Sequence, residues 1–354
     1  MVERGYRVTF VTYGDERDTK YKRVLGNISI IPLYKYFRRP RNRYLRLLHS
    51  LALPIKLKSI FKSADIYKTN QMYGSWVALV GKSLHKKPLI VRCGYEWYRN
   101  VLRNEEDKIK KCLLFIVGYL YELFSYLMAD QIIISNHSDR NFIKKFFVVR
   151  RKKIKVIRNP IDTSVFAPGK NEKRGLANNK RMLFVGRLVK QKNLDNVIKA
   201  IGNTEYGLDI IGNGEEKRNL VERASRTNAD VRFFGVVPND KLPEVMNQYS
   251  VFILASYFEN NPKALMEAMA CGLAIVASNI EGINELVRHE VNGLLCGTDA
   301  QSIGETVHRI FKDEKLRQRL GKAARATAVN DFNIQSVLEK ELSIYKTIIR
   351  QRNL

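Results

Sequence analysis

The stretch Ser250–Ser278 reads SVFILASYFENNPKALMEAMACGLAIVAS. A short apolar, β-branched run leads into a polar turn, then a helix-length segment closed by Gly272, then a second apolar run. Two strands joined by one helix make a βαβ unit, and continuous apolar strands of this kind belong to parallel sheets covered on both faces. Working outward, RMLFVG (Arg181–Gly186), GLDIIG (Gly207–Gly212), VRFFG (Val231–Gly235) and GLLCG (Gly293–Gly297) are further strand candidates, with helix-length segments such as DNVIKAI and EEKRNLVERAS between them. Upstream, RVTFVTYG (Arg7–Gly14), DIYKTN (Asp65–Asn70), KPLIVRCG (Lys87–Gly94), QIIISN (Gln131–Asn136) and KIKVIRNPID (Lys153–Asp162) read the same way. The fold class expected is α/β, with two Rossmann-like, doubly wound domains. A Pro-, Gly- and Asn-rich stretch near 160–175 divides them: an N-terminal domain over 1–165, a second over 166–332, and a C-terminal helix over 333–354 that packs back toward the first.

Composition narrows the partners. The 354 residues are 45% apolar and 27% charged, a globular balance that excludes wholesale disorder and fibrous repeats. The 62 Lys and Arg outnumber the 35 Asp and Glu, for a net charge of +27. Residues 1–168 hold 34 basic and 13 acidic side chains, whereas 169–354 hold 28 and 22. From Thr19 to Ala64 there are twelve bases and no acid, with Tyr34, Tyr36, Phe37 and Tyr44 interleaved. Such a surface seeks anions. No nucleic-acid-binding module accompanies it, so no nucleic acid is expected. An anionic membrane surface fits better, since each Lys or Arg near an anionic leaflet contributes about 1 kcal/mol. Cys93, Cys112, Cys271 and Cys296 lie too far apart for a zinc motif and read as reduced thiols. The longest apolar stretch, Cys112–Ala129, is interrupted by Glu122 and Ser125 and reads as a buried helix rather than a bilayer span. The expected location is cytoplasmic and peripheral, on the inner face of the cell membrane.

Ligands of open parallel sheets sit beyond the carboxyl ends of the strands, so the turns after strands are where chemistry is sought. In FVGRLVKQKNLD (Phe184–Asp195), Gly186 allows close backbone approach, and Arg187, Lys190 and Lys192 crowd one turn with cations suited to phosphate oxygens. In the turn from Ser256, Asn261 reads as a helix N-cap and Pro262 as the first helical residue. Glu259 and Glu267 flank them with the spacing E-x7-E, and Lys263 occupies the first turn, where a cation is tolerable beside an anionic ligand. Glu267 can accept two hydrogen bonds from a ribose diol. IIGNGEEKRNL (Ile210–Leu220) adds a glycine turn at Gly212 that opens another helix. Each motif taken alone is weak.

Together, and in this order and spacing, GRLVKQKNLD, GNGEEKRNL, VRFFG, SYFENNPKALMEAMACGLAIVAS, EGINELV and NGLLC resemble the family 4 glycosyltransferases ("glycosyl transferases group 1": GT-B fold, retaining, nucleotide-sugar-dependent). ADQIIISN and KVIRNPIDTSVFAP are similar to that family too, so the resemblance covers residues 130–345 and, more loosely, the rest. It implies two Rossmann-like domains facing a central cleft, with the donor on the second. It further implies that Arg187 and Lys192 hold the diphosphate, that Glu267 holds the ribose, and that Glu259 lies near the transferred sugar. Gly186, Gly212 and the stretch Asn260, Asn261, Pro262, Lys263, Ala264 and Leu265 supply backbone amides and polar contacts, and Gly235 and Val236 meet the base. The donor implied is a UDP- or GDP-sugar and the acceptor a glycan or a lipid-diphosphate-linked sugar. No D-x-D pair occurs in the chain, so the two cations are expected to do the work of a metal ion, and no metal cofactor is expected. Glu96 and Trp97 in RCGYEW, and His137 in ISNHS, end strands on the acceptor side.

The chain departs from the family at its start, where MVERGYRVTF matches the end of a first βα unit whose strand and glycine turn are not in the sequence. The N-terminal domain is therefore expected to lack that unit. Asn260 stands where the family often has glycine. The function expected is transfer of a sugar to a surface polysaccharide or glycolipid. The alternatives are another GT-B enzyme, such as a nucleotide-sugar epimerase, or an inactive, truncated protein that binds membranes or polyanions.

Overall fold

The structure, a computed structural model, describes residues 4–21, 28–72, 74–94, 99, 108–169 and 180–352. The chain divides into two units, one made of Met1–Ile134, Phe142–Lys155 and Glu341–Leu354, the other of Ser135–Asn141 and Val156–Lys340.

In the first unit Thr9–Thr12 (β1) and Ser29–Pro32 (β2) pair in parallel. Arg43–Lys56 (α1) follows, started by Asn42, whose side chain accepts the Tyr44 N–H at 2.7 Å. Lys58–Ser63 (α2), Tyr67–Lys68 (β3), Trp76–His85 (α3), Leu89–Cys93 (β4), Lys108–Met128 (α4), Gln131–Ile134 (β5), His137–Phe146 (α5, whose first half, to Asn141, belongs to the second unit) and Ile154–Val156 (β6) complete the order. Strands β3, β4, β5 and β6 form a four-stranded sheet separate from β1 and β2. Leu89, Ile90 and Val91 are fully buried, as are Ile132 and Ile133, which is why these strands read as unbroken apolar runs.

One charged group interrupts that core. Arg92 on β4 is buried and pairs with the Glu341 carboxylate, which also takes Lys68 at 2.6 Å and the Tyr345 hydroxyl at 3.0 Å. Burial pushes the Lys68 ammonium down to about 8, and the neighbouring Arg92 charge acts in the same direction. One carboxylate thus serves two cations.

The sequence reading of Cys112–Ala129 as a buried helix needs correction. A helix forms there, but Ile116, Val117, Leu120, Phe124 and Leu127 are all exposed. Among the described residues no helix is long and apolar enough to cross a membrane.

The second unit contains Arg181–Val185 (β7), Leu194–Ala200 (α6), Gly207–Ile211 (β8), Lys217–Arg226 (α7), Asp230–Gly235 (β9), Leu242–Met246 (α8), Val251–Leu254 (β10), Lys263–Cys271 (α9), Ala274–Ser278 (β11), Leu294–Cys296 (β12), Ala300–Lys312 (α10) and Glu314–Asp331 (α11), and the start of Ile334–Arg352 (α12), which from Glu341 onward belongs to the first unit. Its six parallel strands lie in the order β12-β11-β10-β7-β8-β9. Helices cover both faces, so Met182, Leu183, Phe184, Val251, Phe252 and Ile253 are all fully buried. Helix α9 is buried nearly all round, as an all-apolar helix must be; Glu267 is its one charged buried member. Gly272 ends it in the left-handed conformation at φ 75°, as its sequence position led us to expect. Helices α10 and α11 start at Asp299 and Asp313, each of which caps a backbone N–H at 2.9 Å. Cys93, Cys271 and Cys296 are buried and form no disulfide among the described residues.

Candidate active site

Strand order in the second unit reverses between β7 and β10. Their following turns leave the sheet side by side, at the place where open parallel sheets bind ligands. The two turns are stitched together. The Tyr257 N–H donates to the Gln191 carbonyl at 2.9 Å, and the Gln191 side-chain amide donates to the Phe258 carbonyl at 2.7 Å. Asn193, left-handed at φ 55° and buried, donates to the Ala255 and Thr298 carbonyls.

That framework fixes Lys192. Its ammonium pairs with Glu259 Oε1 at 2.5 Å, and the same oxygen accepts the Ser256 hydroxyl at 2.7 Å. Lys192 and Glu259 are only 15% and 7% exposed, so the pair is part of the floor of the site. Arg187, by contrast, is exposed, and its guanidinium forms no hydrogen bond or ion pair among the described residues. The two cations expected to work together therefore begin in different states, one anchored and one free.

Glycines permit this crossing of turns. Gly212 sits at φ 143°, and a Cβ there would lie 1.8 Å from the Gly186 carbonyl oxygen, so the turn after β8 lies directly on the turn after β7. Gly282, at φ 83°, presses on the Glu259 carbonyl, where a Cβ would come within 2.2 Å.

At helix α9 two expectations are corrected. Asn261 does not cap it; Pro262 is the flanking residue, with φ −71° and ψ 98°, and the first helical residue is Lys263. Asn261 lies one position too far upstream for its side chain to reach the helix amides, and both of its side-chain polar atoms are buried with no hydrogen-bond partner among the described residues. The first intrahelical bond runs from Met266 N–H to the Pro262 carbonyl, so the amides of Lys263, Ala264 and Leu265 precede it. The Leu265 side chain is fully buried and leaves only backbone to offer a ligand. Lys263, exposed, reaches back to Glu267 Oε1 at 3.2 Å, an i,i+4 pair that answers its unfavourable place on the helix dipole. Glu267 also receives the Asn239 side-chain amide at 3.4 Å. Gly235, at φ 72°, has open space around it, and Val236 beside it is 74% exposed.

His137 is exposed at the start of α5, where its backbone N–H and that of Ser138 both donate to Glu285 at 2.8 Å. The adjacent Asn136 is the unforeseen contact: its side-chain amide donates to the Asn260 carbonyl at 3.2 Å. Ser256, Gln191, Asn193 and Gly282 were also missed by sequence reasoning. All four stood inside motifs already quoted, but nothing in their residue type announced a contact with a particular partner. Glu96 and Trp97 lie outside the described residues.

The charged cluster at the other end of the sheet has a different character. Arg181 pairs with Asp209 and Asp230, and the Tyr249 hydroxyl donates to Asp209 at 2.7 Å, which satisfies the buried charges internally.

Residues 169–327 match the family described as Glycosyl transferases group 1, and residues 1–165 match Glycosyltransferase Family 4. The chain is similar to N-acetyl-alpha-D-glucosaminyl L-malate synthase of Bacillus anthracis, 21% identical over 99% of this chain and 91% of that protein. It is also similar to N,N'-diacetylbacillosaminyl-diphospho-undecaprenol alpha-1,3-N-acetylgalactosaminyltransferase of Campylobacter jejuni, 25% identical over 96% of this chain and 91% of that protein. The solved structure of Anabaena HepE in complex with UDP shares the fold, with a TM-score of 0.78 at 17% identity over 98% of this chain and 94% of that one. Two Rossmann-like sheets, a strand-end site at the switch point and two adjoining family matches that span most of the sequence converge: the chain belongs to the family 4 glycosyltransferases, enzymes of GT-B fold.

Proposed function

We propose that this glycosyltransferase moves a hexose-type sugar from a UDP- or GDP-sugar to a glycan or lipid-diphosphate-linked acceptor, with retention of configuration and without a metal ion. In this reading the enzyme works on the inner face of the cell membrane, held there by its basic N-terminal half, in the synthesis of a surface polysaccharide or glycolipid. The observation that carries the proposal is the pairing of an anchored Lys192 with a free Arg187 beside the start of α9, at the switch point of the sheet. Breaking a glycosyl–diphosphate bond builds positive charge at the anomeric carbon and negative charge on the departing phosphate. Fixed cations and helix N–H groups favour that phosphate most when it carries most charge, which lowers the barrier. Glu259 holds the Lys192 ammonium in place, and Glu267 receives the ribose diol at the inner wall. Gly235 and Val236 leave room for the base. The acceptor oxygen bonds the anomeric carbon on the same face from which the nucleoside diphosphate departs, and the departing phosphate oxygen takes the acceptor proton, which gives retention. The names of the Campylobacter relative, which carries a lipid-linked acceptor, and of the UDP-bound neighbour support the substrate classes.

Donor binding is tested by thermal stabilisation. A nucleoside diphosphate that binds the folded protein at 100 times its Kd adds about 2.7 kcal/mol of stability, so UDP or GDP is expected to raise Tm, with EDTA making no difference. In Glu267→Gln one acceptor oxygen becomes a donor, and the donor KM is expected to rise roughly 10- to 100-fold, the value of one or two hydrogen bonds to a charged group. No stabilisation by any nucleoside diphosphate, or an unchanged KM, would overturn the donor-site assignment.

A further inference from the structure

From Ile116 onward, helix α4 wears its side chains inside out. Gly118, Glu122, Ser125, Tyr126 and Ala129 face inward and are buried, with Ser125 bonded to the Tyr121 carbonyl at 2.8 Å and lying 3.3 Å from the Ser75 hydroxyl. Outward stand Ile116, Val117, Leu120, Phe124 and Leu127, each 53–57% exposed. Steps of three and four residues place them on one stripe along the helix. A helix covering a sheet in water buries its apolar stripe and shows its polar one; here the polar groups are spent inward and the apolar ones are left out.

The surface beside the stripe continues the pattern. The Tyr119 hydroxyl donates to the Phe146 carbonyl at 3.1 Å and its ring stacks on Phe147, which brings the exposed Phe146 and Val148 alongside. Behind them come Arg150, Arg151 and Lys152, all exposed, and Lys153, whose ammonium caps the Leu127 and Ala129 carbonyls at the end of α4. Between residues 108 and 155 there are three acids. Glu122 and Asp139 are buried, and Asp130 is held by Lys82 and the Leu89 N–H. Among the described residues of this segment the apolar stripe thus has a basic rim and no acid left over to neutralise it.

We infer that this face docks on an anionic lipid leaflet, with α4 lying in the plane of the headgroups and Leu120 and Phe124 reaching the acyl boundary. The inference rests on the membrane reading proposed above and assigns it a surface. A second copy of the chain is the poorer occupant, because a two-fold contact sets the same patch against itself and would bring two basic rims together. A leaflet supplies the opposite charge and the apolar depth at once. At 1.5 Å per residue, the 21 residues of α4 lie about 31 Å along the surface.

The test is sedimentation of the full chain with phosphatidylcholine vesicles containing either no or 40% phosphatidylglycerol. The parent is expected to bind the anionic vesicles, and the double variant Leu120→Glu, Phe124→Glu to bind them at least ten-fold more weakly while keeping the parent's Tm and UDP affinity. Phe124→Cys carrying an environment-sensitive dye is expected to shift to the blue on anionic vesicles, which reports burial directly. A double variant that binds like the parent, with no dye shift, overturns the docking face and leaves a basic, peripheral attachment standing. Failure of the parent itself to bind anionic vesicles overturns both. A vesicle-free dimer that the double variant converts to monomer assigns the face to self-association and overturns the inference too.

Discussion

Replacing Arg187 with alanine is expected to lower kcat for sugar transfer by about 10²–10³-fold, the usual loss when one fixed donor to a developing oxyanion is removed. The fold gives no reason for Tm to change, because the guanidinium is exposed and pairs with nothing among the described residues; surface changes of that kind stay within about 0.5 kcal/mol. If the cation acts on the departing phosphate, kcat and kcat/KM fall together. Arg187→Lys keeps the charge but loses the planar fork, so partial activity is expected. Lys192→Ala is the less clean experiment, since it leaves Glu259, 7% exposed, with only the Ser256 hydroxyl to satisfy it. Steady-state kinetics of the Arg187 variants with a nucleotide-sugar donor decide the matter; full activity in Arg187→Ala would remove the cation from the reaction.

The second large effect is on stability. Glu341→Ala is expected to cost about 3–5 kcal/mol, because it removes the carboxylate that two cations, Lys68 and the buried Arg92, now share. At 2–4 °C per kcal/mol for a unit of this size, Tm should fall by roughly 6–20 °C. Replacing Arg92 with methionine in the same variant is expected to recover part of the loss, since a neutral side chain of similar length needs no counter-charge. Urea unfolding of the two variants measures both numbers. A loss below about 1 kcal/mol would place the pair among ordinary surface salt bridges.

Much of the second unit could be read from residues alone, for a physical reason. Strands buried on both faces must be continuous apolar runs, and RMLFV, GLDII, VFIL and AIVAS are such runs, so β7, β8, β10 and β11 stand where they were expected. The switch-point turns were legible because glycine and clustered cations have few other uses there. What the sequence did not show was partnership. Nothing in the spacing of Lys192 and Glu259 says that they meet, since the meeting depends on which strands are neighbours, and Asn261 looked like a cap until Pro262 took the flanking position. The first unit was harder. Helix α1 was hidden inside a run of bases and aromatics, and α4 was taken for a core element because apolar periodicity reports a stripe without saying which way it faces.

The Glu341 carboxylate has one more consequence, which concerns the order of events at the ribosome. The first unit is written in three pieces, and the piece that neutralises its inner cations follows every segment of the second unit in the chain. The second unit, whose segments all precede residue 341, is complete in the nascent chain before the first unit can close. Until residue 341 is translated the first unit is still waiting for its counter-ion, and nascent chains stalled short of that residue would present to chaperones an open first unit and a finished second one.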